Sequence, residues 1–275
     1  MQTLDRQNIG LIGGGAMGDA LVGGLLAAGH PKGQIRVAEV DPARRKQLEK
    51  TRGVATESDG APVVAESDVV LLAVKPGVIR PVLESLTGSG LLERPLWISI
   101  AAGVTLAGLE APLPAGARIV RAMPNTPALV GAAATAICGN SHVSADDLGL
   151  ARAVFESVGT CYAAPNEGLL DAVTGLSGSG PAYVFLFLEA LGDAGVRMGL
   201  PRDAAYELAF QTVFGAAKLA LESGRHPAAL KDQVTSPGGT TIAGVERLEA
   251  GGFRAAIHAA VESATARSRA LAEES

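Results

Sequence analysis

Short apolar runs alternate with longer amphipathic stretches in the first half of the chain, and this alternation constrains the fold more than any other feature. Five runs have the length and β-branched content of buried strands: NIGLIG, QIRVAEV, DVVLLAV, LWISIA and RIVRAM. The stretches at 18–30, 42–53 and 77–90 have helical spacing and end at or beside glycine, as helices commonly do. The alternation predicts a parallel sheet with helical crossovers.

The pattern changes beyond about Pro165. Two more short runs, ATAICG and GTCYAAP, can extend the sheet, and strand-like runs then disappear. Three segments long enough for helices follow, at 180–199, 201–224 and 252–274. We therefore expect an α/β domain with a doubly wound, Rossmann-type sheet over residues 1–164, followed by an all-α dimerisation domain over 165–275.

The helix that begins near Pro181 is apolar nearly all round, and such a helix must be buried on every side. A domain of about 110 residues offers few layers to cover it. We expect helices of a second chain to interleave with it, so that a homodimer is the minimal unit and dimers assemble further. Burial within one chain is the alternative.

Composition excludes several partners. The net charge is −5 and the basic residues are scattered, so neither nucleic acid nor an anionic membrane is indicated. No apolar run approaches the ~20 residues of a membrane span, and the start lacks the features of a signal peptide. Cys138 and Cys161 have no metal or redox spacing, which favours buried thiols, no metal site and a cytoplasmic location.

The stretch GLIGGGAMGDAL places Gly13, Gly15 and Gly18 between the first strand and the first helix. This spacing is that of a dinucleotide-binding turn. Gly13 permits the tight bend, Gly15 lets the backbone approach a pyrophosphate, and Gly18 allows close helix packing. Phosphate then meets the positive end of the helix. A purely structural turn is the alternative.

The choice between NADPH and NADH stays open. Glu39 and Asp41 lie about twenty residues past Gly18, where an acid takes the ribose hydroxyls. Arg44 and Arg45 could clamp a ribose phosphate, or they could be solvated charges. We expect NADPH, with NADH as the alternative.

Further loops are expected at the same edge of the sheet, because ligands lie outside the carboxyl ends of parallel strands. AVKPGV with Lys75 ends the third strand, SIAAGV ends the fourth, and the rigid loop MPNTPA with Asn125 follows the fifth. A solvated Lys75 is the alternative. The small-residue stretch TGLSGSGPAY, residues 174–183, is expected to be an approach loop.

The residues favour an imine as substrate. Alcohol dehydrogenation needs a base, worth roughly 10²–10⁴-fold, and the four histidines, His30, His142, His226 and His258, lie away from the glycine loops. A protonated imine already carries its proton, so hydride transfer needs mainly orientation and a hydroxyl or water donor.

Seven motifs, in order and over essentially the whole chain, resemble pyrroline-5-carboxylate reductases. They are GLIGGGAMGDAL, LLAVKP, SIAAGV, RAMPNTPA, VTGLSGSGPAYVF, MGLPRDAAYELAFQT and LKDQVTSPGGTTIAGVERLEAGGFR. The resemblance implies a Rossmann domain, a helical dimerisation domain, and a site where one subunit's helices meet the other's cofactor. It also implies reduction of Δ1-pyrroline-5-carboxylate to L-proline, the last step of proline biosynthesis, with NADPH or NADH.

The resemblance also implies residue roles. Gly239, Thr240 and Thr241 present amides and a hydroxyl at a helix start to the substrate carboxylate, and Ser236 shapes the turn. Thr174 matches a threonine that donates to the imine nitrogen, with bound water as its rival.

Glu167 matches an acidic residue that contacts proline. The implied cofactor contacts, beyond the three glycines and Glu39, are Ala16, Met17, Ala73, Val74, Lys75, Pro76, Ala101, Ala102, Asn125 and Gln233. Gln233 stands where many relatives have Asn, and Val40 stands where many have Arg or Ser. These departures leave the cofactor preference open.

Two other functions compete with this one. A β-hydroxyacid dehydrogenase would carry a catalytic lysine on the first helix of the second domain, and SGSGPAYVFLFLEALGDAG contains none. A non-catalytic NAD(P)-binding regulator would keep the glycine turn without a carboxylate site.

Overall fold

The structure is a computed structural model that describes residues 3–87 and 90–273. Its strands are β1 (Ile9–Ile12), β2 (Ile35–Ala38), β3 (Ala55–Glu57), β4 (Val69–Leu72), β5 (Leu96–Ser99), β6 (Arg118–Met123), β7 (Ala133–Gly139) and β8 (Gly159–Ala163). Its helices are α1 (Ala16–Ala27), α2 (Pro42–Arg52), α3 (Gly60–Ala65), α4 (Pro76–Ser85), α5 (Leu106–Glu110), α6 (Ala145–Glu156), α7 (Leu169–Val173), α8 (Gly180–Arg197), α9 (Arg202–Ser223), α10 (Pro227–Gln233), α11 (Thr240–Ala250) and α12 (Phe253–Glu273).

The eight strands form one sheet in the order β3-β2-β1-β4-β5-β6-β7-β8. Neighbours from β3 to β6 are parallel, as the alternating pattern predicts. The two further runs do extend the sheet, but β7 is antiparallel to β6, and β8 is parallel to β7. The connection from β6 to β7 is short, residues 124–132, and contains a 3-10 turn at Thr126–Val130 and the left-handed Gly131. A parallel pair needs a longer crossover.

Helices cover both faces of the sheet. Val69 and Leu71 of β4 belong to one buried cluster with side chains of α1 and α6, whereas Val70 and Leu72 belong to a second cluster with side chains of α3, α4 and α5. Successive residues of a strand point to opposite faces, so a strand buried on both sides is apolar throughout. This arrangement confirms the doubly wound α/β fold.

Contacts divide the chain into two compact units. The sheet unit runs to Ser179 and includes the end of α12 from Glu262, and the helical unit is Gly180–Val261. The expected boundary at 164/165 differs from this division because α7 belongs to the sheet unit through Leu170, which is fully buried in the second cluster. The assignment of functions to 1–164 and 165–275 stays a prediction.

The prediction of an approach loop at 174–183 was wrong. Residues Thr174–Gly178 form a π-helical turn between α7 and α8, closed by the Ser179 amide, which donates to the Thr174 carbonyl at 2.8 Å. Small residues permit this wide turn, and side chains elsewhere in the sheet unit hold it, so local composition alone did not reveal it. The helix predicted over 77–90 ends at Ser85, and residues 88 and 89 of that prediction lie outside the described residues.

The helical unit leaves most of its apolar side chains uncovered. Among its described residues, the buried apolar side chains are Ala205 and Ala209, whereas Phe185 and Leu186 of α8 are 64% and 68% exposed. Within the unit, the Phe187 and Phe253 rings lie 6.2 Å apart. Exposed apolar faces of this kind mark interaction sites, in agreement with the covering partner that the pattern of α8 predicts. No described helix is both long and apolar enough to span a membrane.

Candidate active site

A sharp turn joins β1 to α1 and depends on two glycines. Gly13 has a φ of +106°, and a Cβ on it would lie 2.5 Å from the carbonyl oxygen of Ala73. A Cβ on Gly18 would overlap the carbonyl oxygen of Gly13. Glycine is therefore required at both positions, and the predicted reasons for them, a tight bend and close helix packing, match the geometry.

An open cleft of about 190 Å³ lies beside this turn. Its lining residues are Gly14, Gly15, Ala16, Asp19, Arg44, Gln47 and Leu48. Gly15 is the N-cap of α1 and offers no side-chain cap, so the amides of the first helical turn are left for a ligand. The turn lies where the strand order reverses around β1, which is where dinucleotides bind in such sheets. The cleft suits a phosphate group.

Glu39 follows β2 and uses both of its carboxylate oxygens within the chain. The Gly14 amide donates to Oε2 at 2.9 Å, and the Asp41 amide donates to Oε1 at 2.9 Å. Asp41 itself caps α2 by accepting from the Ala43 amide. Glu39 therefore braces the glycine turn. Its predicted contact with the ribose stays a prediction.

The two arginines at the start of α2 have different surroundings. Arg45 donates through Nη1 to the carbonyl oxygens of Glu39 and Val40, at 2.6 and 3.1 Å. Arg44 lines the cleft, and its Nε lies 3.9 Å from Asp41 Oδ2. Arg44 is thus the guanidinium that faces the cleft, whereas Arg45 stabilises the loop after β2.

Other predicted cofactor residues follow neighbouring strands at the same edge of the sheet. Ala73 and Val74 follow β4, and Lys75 is the exposed N-cap of α4, with Pro76 as the first helical residue. After β5, Ala101 is buried and Ala102 is exposed. The structure thus brings the residues that follow β1, β4 and β5 to one edge, as predicted.

Asn125, a predicted cofactor residue, is buried and engaged at both ends of its amide. Its Nδ2 donates to the Ser177 carbonyl in the π-helical turn at 2.9 Å, and its Oδ1 accepts from the Ala134 amide at 3.0 Å. Thr174 stands on the same turn, and its hydroxyl donates to the Leu170 carbonyl at 2.8 Å. Donation from Thr174 to a substrate would require that hydroxyl to rotate.

Glu167 is paired with a residue that the sequence analysis missed. Its Oε1 accepts from Arg121 Nη1 at 2.7 Å and from the Leu106 amide at the start of α5 at 2.8 Å. Arg121 lies in β6 and is only 4% exposed. The sequence did contain one indication of this pair. Arg121 lies inside the apolar run RIVRAM, and a guanidinium buried there needs an acidic partner.

In the helical unit, SPGGTT forms the start of α11. Gly238 is left-handed, with a φ of +66°, and Gly239 is the N-cap, with no side-chain cap. The Gly239 amide donates to the Ser236 carbonyl at 3.1 Å, and a Cβ on Gly239 would overlap Ser236 Oγ. The amides of Thr240 and Thr241 therefore begin a helix whose positive end is uncapped.

Gln233 lies at the end of α10 in the same unit. Its Oε1 accepts from Arg225 Nη1 at 2.8 Å. Nothing in the sequence indicates Arg225 as its partner. The predicted cofactor contact of Gln233 stays a prediction.

The two cysteine thiols are poor nucleophiles. Both cysteines are buried, as predicted, and burial raises the pKa of the Cys138 thiol and raises that of Cys161 to about 11. Burial lowers the pKa of His30. In the described ranges, no group of His, Cys, Asp and Glu could hold a metal ion.

Comparison with known proteins agrees with this geometry. Residues 167–271 match the family model for pyrroline-5-carboxylate reductase dimerisation, and residues 8–103 match that for NADP oxidoreductase, coenzyme F420-dependent. A pyrroline-5-carboxylate reductase of Synechocystis is 52% identical over 264 residues, with 96% of this chain and 97% of the relative covered. That of Escherichia coli K12 is 44% identical, with 98% and 99% covered.

Solved structures give the same result. A pyrroline-5-carboxylate reductase from Coxiella burnetii has a TM-score of 0.92 at 40% identity, with 96% of this chain and 98% of that chain covered. Plasmodium falciparum pyrroline carboxylate reductase, solved with NADP bound, has a TM-score of 0.86 at 32% identity, with 98% and 100% covered.

Proposed function

The chain belongs to the pyrroline-5-carboxylate reductase family, and from that premise we propose how its residues carry out the reaction. It is an NAD(P)H-dependent oxidoreductase that reduces the imine of Δ1-pyrroline-5-carboxylate to L-proline, the last step of proline biosynthesis. When bound, the nicotinamide supplies the hydride. The protein must bind both molecules, orient them and provide a proton.

The glycine turn fits a dinucleotide. Side chains at Gly13 and Gly18 would collide with backbone, and Gly15 leaves the cleft open beside the uncapped start of α1. We assign the pyrophosphate to the amides at Gly15, Ala16 and Met17. The residues after β4 and β5, Ala73–Pro76 and Ala101–Ala102, are proposed to border the rest of the cofactor, with Gln233 as a further contact.

Arg44 supports a preference for NADPH. It is the guanidinium that lines the cleft, and both oxygens of Glu39 already accept from backbone amides. A guanidinium matches the ribose phosphate of NADPH. We therefore propose that NADPH is the preferred reductant.

The uncapped start of α11 is the observation that carries the substrate assignment. A carboxylate adds the negative charge that a helix start favours, and the Thr240 and Thr241 amides with a threonine hydroxyl can bind it, while Ser236 shapes the turn. We propose that Thr174, or a water that it holds, donates to the imine nitrogen. Glu167 is still proposed to contact the substrate, and its bonds to Arg121 and Leu106, both through Oε1, support a positioning role as well.

The exposed apolar faces of the helical unit and the dimerisation match support a homo-oligomer. We propose a homodimer as the minimal unit, a larger assembly of dimers, and a functional division into residues 1–164 and 165–275. The dimerisation match begins at 167, near that boundary. A cytoplasmic location is proposed from the two unpaired, buried cysteines.

Initial rates test the assignment. Purified protein is mixed with pyrroline-5-carboxylate and either NADPH or NADH, and the product is identified by mass spectrometry. We expect proline to form in step with cofactor oxidation, faster with NADPH. Cofactor binding without proline formation would refute the enzyme assignment and favour the regulator.

A further inference from the structure

We propose that Arg121 and Asn125 act as a two-point clamp that positions the segment Glu167–Ser177, which carries Thr174, for the reduction. Both belong to the same stretch of chain, β6 and the loop that follows it, and each holds one end of the segment. They are positioning residues and not catalytic ones, because neither is assigned to the reacting atoms. The proposal rests on the assignment of the π-helical turn to the active site.

The first point of the clamp is Arg121. Its guanidinium is buried, so it must keep an acidic partner, and removal of one partner of a buried pair is strongly destabilising. That partner, Glu167, accepts from the guanidinium and from the Leu106 amide through a single oxygen, Oε1. Three pieces of chain therefore meet at one atom: β6, the start of α5 and the start of the segment. The loop with Ala101 and Ala102 leads directly into α5, so the pair also fixes the end of that loop.

The second point is Asn125, which holds the far end of the segment. It donates to the Ser177 carbonyl inside the π-helical turn, while the Ala134 amide of β7 fixes its other end. A π-helical turn is a rare conformation that occurs frequently at functional sites. Met123, just before Asn125, packs so close to Gly178 that a Cβ there would lie 2.9 Å from Met123 Cε. The end of β6 and the loop after it therefore hold the π-helical turn through a hydrogen bond and through side-chain packing.

A third contact holds the middle of the segment. Asp171 accepts from the hydroxyl of Ser268, a buried residue of α12, at 2.7 Å. Leu170, whose carbonyl orients the Thr174 hydroxyl, is fully buried. With both ends and the middle held, the backbone of Thr174 is fixed, and its hydroxyl needs only to rotate away from the Leu170 carbonyl to reach a substrate. A misplacement of about 1 Å in an active site costs on the order of 100-fold in rate. Greater mobility at either end of the segment should therefore lower kcat.

The test uses conservative variants in the full-length protein. Arg121→Lys keeps the charge but loses the guanidinium geometry, and Asn125→Asp keeps the acceptor for Ala134 while it loses the donor to Ser177. The matched control is Arg118→Lys. Arg118 lies in the same strand and pairs with the buried Asp147 at the same 2.7 Å, but it also donates to the Arg94 carbonyl and not to the segment.

Three quantities are measured for each variant: kcat and KM with pyrroline-5-carboxylate, the Kd for NADPH, and amide hydrogen exchange over residues 167–178. For Arg121→Lys and Asn125→Asp we expect kcat to fall on the order of 10- to 100-fold, with faster exchange over 167–178. For Arg121→Lys, which changes no expected cofactor contact, the Kd for NADPH should change less than about threefold. A general loss of stability would not produce this split. Arg118→Lys should leave kcat within about twofold of the parent.

The proposal is overturned if both clamp variants keep kcat within about twofold and keep the exchange of 167–178 unchanged, or if Arg118→Lys loses as much kcat as they do. If one clamp variant does not fold, the other carries the same test from the opposite end of the segment. The variant Thr174→Ala separates the proposed donor role of Thr174 from the proposed clamp. Full activity of Thr174→Ala would remove the donor role of Thr174, and slow turnover of the clamp variants beside it would still support the clamp. If the parent does not reduce the imine at all, the proposed function fails, and the exchange arm still decides whether the clamp holds the segment.

Discussion

Replacement of Arg44 by glutamine should change the cofactor preference without abolishing activity. Arg44 lines the cleft beside the glycine turn, and its ion pair with Asp41 is 3.9 Å long and exposed. Exposed pairs of that kind are worth at most about 1 kcal/mol. The guanidinium is therefore available for a ribose phosphate.

The expected loss of NADPH preference can be estimated from the exposure of the Arg44 side chain. Hydrogen bonds to charged groups contribute about 1.5–3 kcal/mol, and the Arg44 side chain is 55% exposed, which favours the low end of that range. About 1.4 kcal/mol corresponds to tenfold in an equilibrium constant. We therefore expect kcat/KM with NADPH to fall about tenfold in Arg44→Gln, whereas kcat/KM with NADH changes little.

Arg45→Gln is the matched control. Arg45 donates to the carbonyl oxygens of Glu39 and Val40, so its loss should lower the melting temperature and leave the ratio of NADPH to NADH rates near that of the parent. The assay is the initial rate with each cofactor at low and at high salt, because an exposed phosphate contact weakens as salt screens it. An unchanged ratio in Arg44→Gln, or an equal drop in Arg45→Gln, would refute the reasoning.

Three further predictions follow from single contacts. Gly18→Ala places a methyl group against the Gly13 carbonyl, so we expect a loss of stability of about 1–3 kcal/mol in chemical denaturation and weaker NADPH binding by fluorescence titration; tight binding would contradict it. Thr241→Ala should raise KM for pyrroline-5-carboxylate about tenfold with KM for NADPH unchanged, and the opposite pattern would remove Thr241 from the carboxylate site. Burial lowers the pKa of His30 below its usual 6.5 despite the opposing charge of Asp5. The unfolded chain therefore binds the proton first as pH falls, and stability is lost from about pH 6.5 down to the folded-state pKa. His30→Leu should flatten that part of a plot of melting temperature against pH, and an unchanged slope would assign the acid sensitivity to other groups.

Local patterns predicted most of the sheet unit, because β-strand and helix periodicity and the glycine turn are encoded within a few residues. The direction of β7 was not predicted, since it depends on the short connection at Thr126–Val130 and not on the composition of the strand. The π-helical turn was missed because composition alone does not distinguish it from a loop, and Asn125 holds it from a distance of 52 residues in sequence.

In the candidate site too, the residues that were not predicted are those whose side-chain partners lie far away in the sequence. The glycine turn and the start of α11 are local features, and the sequence located both. Arg121 and Glu167 are 46 residues apart, and neither pattern nor spacing links them. The adjacent Arg44 and Arg45 look equivalent in the sequence, and only the structure shows that one donates to backbone carbonyls while the other lines the cleft.

The course of α12 affects the order in which parts of the sheet unit can fold during synthesis. The helix begins in the helical unit and ends in the sheet unit, so the residues of the helical unit form an insertion between two parts of the sheet unit. Asp171 can form its hydrogen bond with Ser268 only after 97 further residues have been synthesised. Domains generally fold from the N-terminus as they leave the ribosome, but this sheet unit gains its last described helix only when α12 emerges. A nascent chain stalled before α12 would therefore present a nearly complete sheet unit in which Asp171 still lacks the Ser268 hydroxyl.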